Sequence, residues 1–308
     1  MIYTCTLSPS IDYLVELDEL QLGALNRTKA TSFYPGGKGI NVSRVLKNLG
    51  QESTVLGYIG GFTGGYIRDF LQAEGIQEQF IATEQQTRVN IKLKTGVETE
   101  INGQGPSINE VQQDELLAKV NELMDGDIFV LAGSLPSSIS IDFYLSLIKL
   151  CKDKNIPFIV DTSGQALEAV LPYRPFLIKP NQHELGDLFN AEISSVEEAI
   201  EYGERLLDMG PENIIVSLGG EGALLINKEI TAFANVPKGE LKNSVGAGDS
   251  MVAGFLASYI QENDFLAAFK YSIASGSGTA FSGDLAKVDI VEQLLPEIKV
   301  ETIREGGR

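Results

Sequence analysis

Short apolar runs alternate along this chain with stretches whose apolar residues return every three or four positions. Residues 1–7, 54–59, 127–131, 157–160, 176–178 and 214–216 have strand length and are bounded by Gly, Pro, Ser, Asp or Asn, which predicts buried strands. Between them, 42–49, 66–73, 110–124, 142–152, 194–209, 251–261 and 264–280 have helical spacing, with Gly50, Gly75 and Gly126 as stop signals. This alternation predicts βα units around a mostly parallel sheet. A second pattern covers 13–17, 28–34, 87–94 and 97–101, where polar and apolar residues alternate one by one. That predicts strands with one wet face, the last two joined as an antiparallel hairpin at Gly96, and together a small second sheet suited to act as a lid. A further hairpin is expected over 224–226 and 230–233.

The loops that follow the predicted strands carry the polar residues with chemical potential. Asn243 to Ser250 reads Asn-Ser-Val-Gly-Ala-Gly-Asp-Ser and runs straight into a helical pattern. Gly246 and Gly248 let bare backbone approach a ligand, and the open N–H groups of a helix start favour an anion. Asp249 beside such a hole is placed to accept a proton from an attacking hydroxyl, although an N-cap role is the plainer reading. An exposed Asp at a helix start is expected to titrate at or below ~4. Asp12 follows the first strand, where an open α/β sheet has its ligand crevice; a turn Asp is the alternative. Pro35 to Asn41 forms a glycine loop with Lys38 and Asn41 ahead of a helix. It is unlike a Walker A loop, because Gly39 follows Lys38. Ser134, Asn181 with Glu184, and 217–222 also follow strands, so parallel strands would bring all these loops to one side. Arg27, Lys29, Arg88, Lys92 and Lys94 gather positive charge on the small sheet. Arg27 and Arg88 read as phosphate clamps, and Lys92 and Lys94 as protection of a sheet edge.

Composition narrows the chemistry. The 308 residues carry a net charge of −18, which excludes nucleic acid or an anionic membrane as a general partner. No apolar run is long enough for a bilayer, and no signal-peptide pattern opens the chain, so a cytoplasmic location is expected. Cys5 and Cys151 are the only cysteines and His183 the only histidine, which leaves no zinc spacing and no partner for a serine-protease device. A dinucleotide fingerprint fails at Met251, where its third glycine would stand.

The segments 35–49 and 243–255 together resemble the two signatures of the ribokinase-like (PfkB-type) carbohydrate kinases, and the likeness extends over nearly the whole chain. Within that family the runs 36–50, 98–103, 131–136 and 216–222 resemble the branch acting on ketohexose phosphates. The resemblance implies a single domain over 1–308. Its fold would be a three-layer α/β/α sandwich with a mostly parallel central sheet, plus a small β-sheet lid with strands from about 12–18, 28–35 and 87–102. It implies ATP-dependent phosphorylation of fructose 1-phosphate to fructose 1,6-bisphosphate, with tagatose 6-phosphate or fructose 6-phosphate as alternative substrates and a non-catalytic sugar-phosphate sensor as the different class. Asp249 matches the catalytic base, and Gly246, Ala247 and Gly248 match the anion hole. Asp12, Gly37 and Asn41 match sugar-hydroxyl contacts. Arg27, Lys38 and Arg88 match contacts to the phosphate already on the sugar, with Ser134 close by. Asn181 and Glu184 match an N-x-x-E element that organises Mg²⁺ through water. Lys179, Asn181, Ser217, Leu218, Gly219, Gly220 and Gly222 match the ATP side, with the backbone of Ala247 and Gly248. Ser8 and Ser10 stand where this branch has Asn-Pro-Ala-x-Asp. The resemblance also implies a homodimer joined through the lid sheet.

Overall fold

A computed structural model describes residues 1–96 and 98–305; Val97, the first residue of the predicted strand 97–101, lies outside the described residues. In chain order the first half contains β1 (Ile2–Thr6), β2 (Ser10–Glu16), β3 (Ala30–Gly36), α1 (Lys38–Asn48), β4 (Ser53–Gly60), α2 (Gly61–Ala73), β5 (Gln77–Glu78), β6 (Ile81–Thr83), β7 (Arg88–Lys94), β8 (Glu98–Asn102), α3 (Glu110–Asn121) and β9 (Ile128–Ala132). The second half continues with α4 (Ile141–Asp153), β10 (Phe158–Asp161), α5 (Gly164–Val170), β11 (Leu177–Ile178), α6 (Gln182–Phe189), α7 (Val196–Asp208), β12 (Asn213–Ser217), β13 (Ala223–Asn227), β14 (Ile230–Ala234), α8 (Ala247–Glu262), α9 (Phe265–Ala280), α10 (Val288–Leu294) and β15 (Val300–Glu305).

The large sheet has the order β15-β14-β13-β12-β11-β10-β9-β1-β4-β5, with β6 also paired to β4. From β4 through β1, β9, β10 and β11 to β12 the strands run parallel, and β12 to β15 are antiparallel. Successive residues of a strand point to opposite faces. Leu131, Val160 and Val216 accordingly join a core with Leu116 of α3, Leu147 of α4 and Leu206 of α7. Their neighbours Val130, Ile159 and Ile215 join the opposite core, with Val45 of α1, Phe255 of α8 and Phe269 of α9. The result is three layers with both sheet faces covered, which is why the parallel strands read as nearly continuous apolar runs. The helix stops fall as the glycines predict: Gly50 and Gly75 adopt φ of 80° and 68°, in the left-handed region.

The second sheet has the order β3-β2-β7-β8. β7 and β8 form the expected antiparallel hairpin, while β2 and β7 run parallel. Three expectations need correction here. Asp12 is inside β2 of the small sheet rather than in a loop after β1. β7 is an interior strand, so Lys92 protects no edge; it is 7% exposed and pairs with Glu100 at 2.5 Å. The helix predicted at 66–73 begins at Gly61, because α2 lies so close to β4 that a Cβ at Gly64 would stand 3.0 Å from the Cβ of Ile59. Gly60 and Gly64 serve close packing, not a loop, whereas Gly65 has open space where a Cβ would be. The pieces β5, β6, α5, α10 and β15 are not foreshadowed by periodicity. The first four have two, three, seven and seven residues, too short to establish a period, and β15 is exposed along most of its length.

Candidate active site

Two helix starts meet at the carboxyl ends of the parallel strands. α1 begins at Lys38, one residue after Gly37, which takes φ 123° and has no room for a Cβ because Thr6 Cγ2 would lie 2.7 Å away. Lys38 and Asn41 are therefore helical residues, not members of the loop expected over 35–41. α8 begins at Ala247, after Gly246 in the left-handed region at φ 81°, and no side chain caps its first turn. Asp249 is the third residue of that turn, so the N-cap reading is overturned. Asn41 Nδ2 donates to Asp249 Oδ2 at 2.8 Å, tying the two helix starts together.

Asp249 is 6% exposed. Burial first, and the charge of Asp161 second, push its carboxyl up to about 6, against the opposing pull of Lys38, Asn41 and Lys179. The expectation of an exposed carboxylate near or below ~4 fails because α8 starts inside the crevice, where water no longer stabilises the charge. Asp161 ends β10 and is 1% exposed. Lys38 Nζ donates to its Oδ1 at 3.1 Å, and Lys179 Nζ lies 3.8 Å from the same oxygen. Burial alone would raise Asp161, but Lys179 and Lys38 together hold it below the usual carboxylate range. Burial alone would lower Lys38, but Asp161, Asp249 and Glu184 hold its ammonium above the ordinary value.

Asp12 has its own frame on the small sheet. Its Oδ1 accepts from Ser10 Oγ at 2.9 Å and from Asn90 Nδ2 at 3.0 Å. Arg88 Nη1 donates to Asn90 Oδ1 at 3.1 Å, and the guanidinium also donates to Ser8 O at 3.2 and 3.3 Å. Ser10, where the sequence departs from the family pattern, thus helps fix Asp12, and Ser8 anchors Arg88. Gly36 comes so close to Asp12 that a Cβ there would stand 2.5 Å from Oδ1. Asp12 and Asn41 line one pocket, with Val245 and Leu285 across from them. Through Asn41 that pocket reaches Asp249.

On the other flank, Asn181 and Ser217 form a bridge between the loop after β11 and the end of β12. Asn181 Oδ1 accepts from the Glu184 amide at 2.8 Å, and Glu184 Oε2 accepts from the Asn181 amide at 2.9 Å, so the pair forms a capping box on α6. Glu184 Oε1 stays outside that cap. Leu218 is 5% exposed and packs into the core, so only its backbone can face a ligand. Gly219 and Gly220 have open space where a Cβ would be. Gly248 backs onto Lys179: a Cβ there would lie 2.8 Å from Nζ.

Two predicted site residues stand apart. Arg27 is exposed on the loop between β2 and β3, and no contact among the described residues ties it to the others. Ser134 follows β9 at the expected level but is exposed, and its side chain has no hydrogen-bond partner among the described residues. Asp161, Asn90 and Ser10 are the residues that sequence reasoning passed over. Asp161 had a signal, since the predicted strand 157–160 stops one residue short of it and strand-end polar residues marked the other loops. Asn90 looked like one more polar position of an alternating strand.

The model of the pfkB family carbohydrate kinases matches residues 6–286. A 1-phosphofructokinase of Bacillus subtilis is 51% identical over 300 residues, covering 97% of this chain and 99% of the relative. A D-tagatose-1-phosphate kinase of Bacillus licheniformis is 38% identical, covering 97% and 99%. Among solved structures, phosphofructokinase-2 from Escherichia coli in complex with substrates and products superposes with a TM-score of 0.91 at 31% identity, covering 96% of this chain and 98% of the other.

Proposed function

Since the chain belongs to the pfkB family of carbohydrate kinases, we propose that it transfers the γ-phosphoryl group of ATP to the 6-hydroxyl of fructose 1-phosphate, giving fructose 1,6-bisphosphate. The observation that carries this reading is Asp249: a buried carboxylate in the uncapped first turn of α8, oriented by Asn41. In the transfer, the sugar oxygen bonds to the γ-phosphorus, the bond from that phosphorus to the bridging oxygen breaks to leave ADP, and the hydroxyl proton passes to Asp249. The amides of Gly248 and Asp249 offer hydrogen bonds to the developing negative charge. A carboxyl held near 6 is better matched to proton transfer at neutral pH than an exposed one.

Asp12, fixed through one oxygen by Ser10 and Asn90, keeps its second oxygen for sugar hydroxyls. Arg88 is braced by Asn90 and by Ser8 O, a geometry suited to the phosphate already on the sugar. Gly219, Gly220 and Ser217 supply the nucleotide side. Mg²⁺ would be held through water by the outer oxygen of Glu184 and the side-chain oxygen of Asn181, where it would neutralise phosphate oxygens. The small sheet acts as the lid, and its outward face pairs two chains.

The test is a coupled ATP-consumption assay with a panel of sugar phosphates. Fructose 1-phosphate is expected to give the highest kcat/KM, by at least about tenfold. A higher value for tagatose 1-phosphate, tagatose 6-phosphate or fructose 6-phosphate would reassign the substrate. No ATP consumption with any of them would leave a sugar-phosphate sensor.

A further inference from the structure

Asp161 has no part in the chemistry above, yet it is among the most enclosed charges of the crevice. Its Oδ1 holds Lys38 at 3.1 Å and Lys179 at 3.8 Å, and its Oδ2 is buried without a hydrogen-bond partner. A buried carboxylate is costly to keep unless cations attend it, so this arrangement binds both ammoniums firmly to one spot. The two cations come from opposite flanks. Lys38 opens α1, the helix that carries Asn41 and through it Asp249. Lys179 follows β11 and stands behind Gly248. Arg88 belongs elsewhere: its charged neighbour is Asp12, whereas those of Lys38 are Asp161, Asp249 and Glu184.

The geometry points to Asp161 as a positioning residue of the phosphoryl-transfer step: its single carboxylate fixes Lys38 and Lys179 beside the first turn of α8, and assigns Lys38 to the migrating phosphoryl group rather than to the phosphate already on the sugar. In that step the sugar oxygen gains the γ-phosphorus, ADP leaves with the bridging oxygen, and Asp249 takes the proton. Charge grows on the atoms being transferred, and lysines on long flexible stems stabilise it only if something holds them there. The inference rests on the phosphotransfer reading but not on which sugar phosphate is used.

Steady-state kinetics on the full chain test it. Asp161→Asn keeps the shape and removes the charge. It is expected to lower kcat by about 100-fold while the KM for sugar phosphate stays within about threefold, since only an interaction made in the transition state is lost. Lys38→Met should show the same split, and the double variant should be no slower than about threefold below the slower single one, because both act through one contact. A kcat for Asp161→Asn within threefold of the unmodified chain overturns the proposal. So does a Lys38→Met variant that raises the KM for sugar phosphate and keeps its kcat. If Asp161→Asn does not fold, Lys38→Met decides alone on that same split. An unmodified chain that turns over no sugar phosphate refutes the kinase reading instead, a separate outcome visible before any variant is made.

Discussion

Asp249 has a cost that can be measured apart from its chemistry. In the unfolded chain its carboxyl titrates near ~3.9, and in the crevice it is held at about 6. Between those values the folded protein keeps a proton that the unfolded chain has lost, so this group's contribution to stability falls as pH rises through that window. Above it the penalty is complete. Asp249→Asn should therefore stabilise the protein at pH 7.5 by on the order of 1–3 kcal/mol, with the difference vanishing near pH 4. With Asp249 as the proposed base, activity should run in the opposite sense: kcat/KM should decline below about pH 6 as that carboxyl becomes protonated. Chemical denaturation at two pH values and a pH–rate profile check the pair. An Asn variant no more stable at pH 7.5 than the native chain would show that Asp249 is not strained by burial. The sequence set this carboxylate at a helix start, where it lies, but misjudged its ionisation, because the water around a helix start depends on what packs over it.

At the scale of the element, the start of α8 shows why two glycines are needed for different reasons. Gly246 supplies a backbone turn at φ 81° that side chains resist. Gly248 has ordinary helical geometry, and only its missing side chain matters, since it leaves space for Lys179 Nζ. Gly248→Ala should leave the melting temperature within a few degrees, because alanine gains about 1 kcal/mol of helix propensity and the lysine end can yield. It should raise the KM for ATP about fivefold or more, by moving that ammonium and covering the amides. Thermal melts and ATP titration read the two effects. An unchanged KM for ATP would remove Lys179 and this turn from the nucleotide site. The glycine pattern was legible beforehand; the division of labour was not, because it depends on a residue about seventy positions away in sequence.

For the whole molecule, the small sheet sorts its residues by the period of two. One cross-strand row is Tyr34, Asp12, Asn90 and Asn102, and Tyr34 and Asp12 of it line the pocket shared with Asn41. The next is Phe33, Tyr13, Ile91 and Ile101, an apolar row in which Phe33 stacks on Tyr13 at 4.3 Å and yet remains 49% exposed, with Ile101 at 53%. An apolar row left half in water on a four-stranded sheet is what a second copy would cover. Light scattering should give a dimer for the native chain, and Phe33→Asp should shift it to monomer at micromolar concentration. A native monomer would refute the two-fold contact and leave that face to the lid's own motion. Among the described residues, no helix is long and apolar enough to cross a membrane.

The sequence by itself determined the layers, the direction of the strands and the loops that carry chemistry, because burial of alternate apolar residues and glycine-marked turns are local properties of the chain. It marked Asp12, Asn41 and Asp249 as polar positions near turns and helix starts, but Asp12 lies within β2 of the small sheet and α1 follows β3, so the rule that parallel strands end on one side does not account for their meeting. Only the tertiary structure decided how charge is balanced there. Asp161 matters through Lys38 and Lys179, which lie 123 positions before it and 18 after it along the chain. It likewise decided that Lys38 turns toward Asp161 while Arg27 stays out in solvent. Electrostatic energy depends on separation in space and on excluded water, and neither is written in the order of residues.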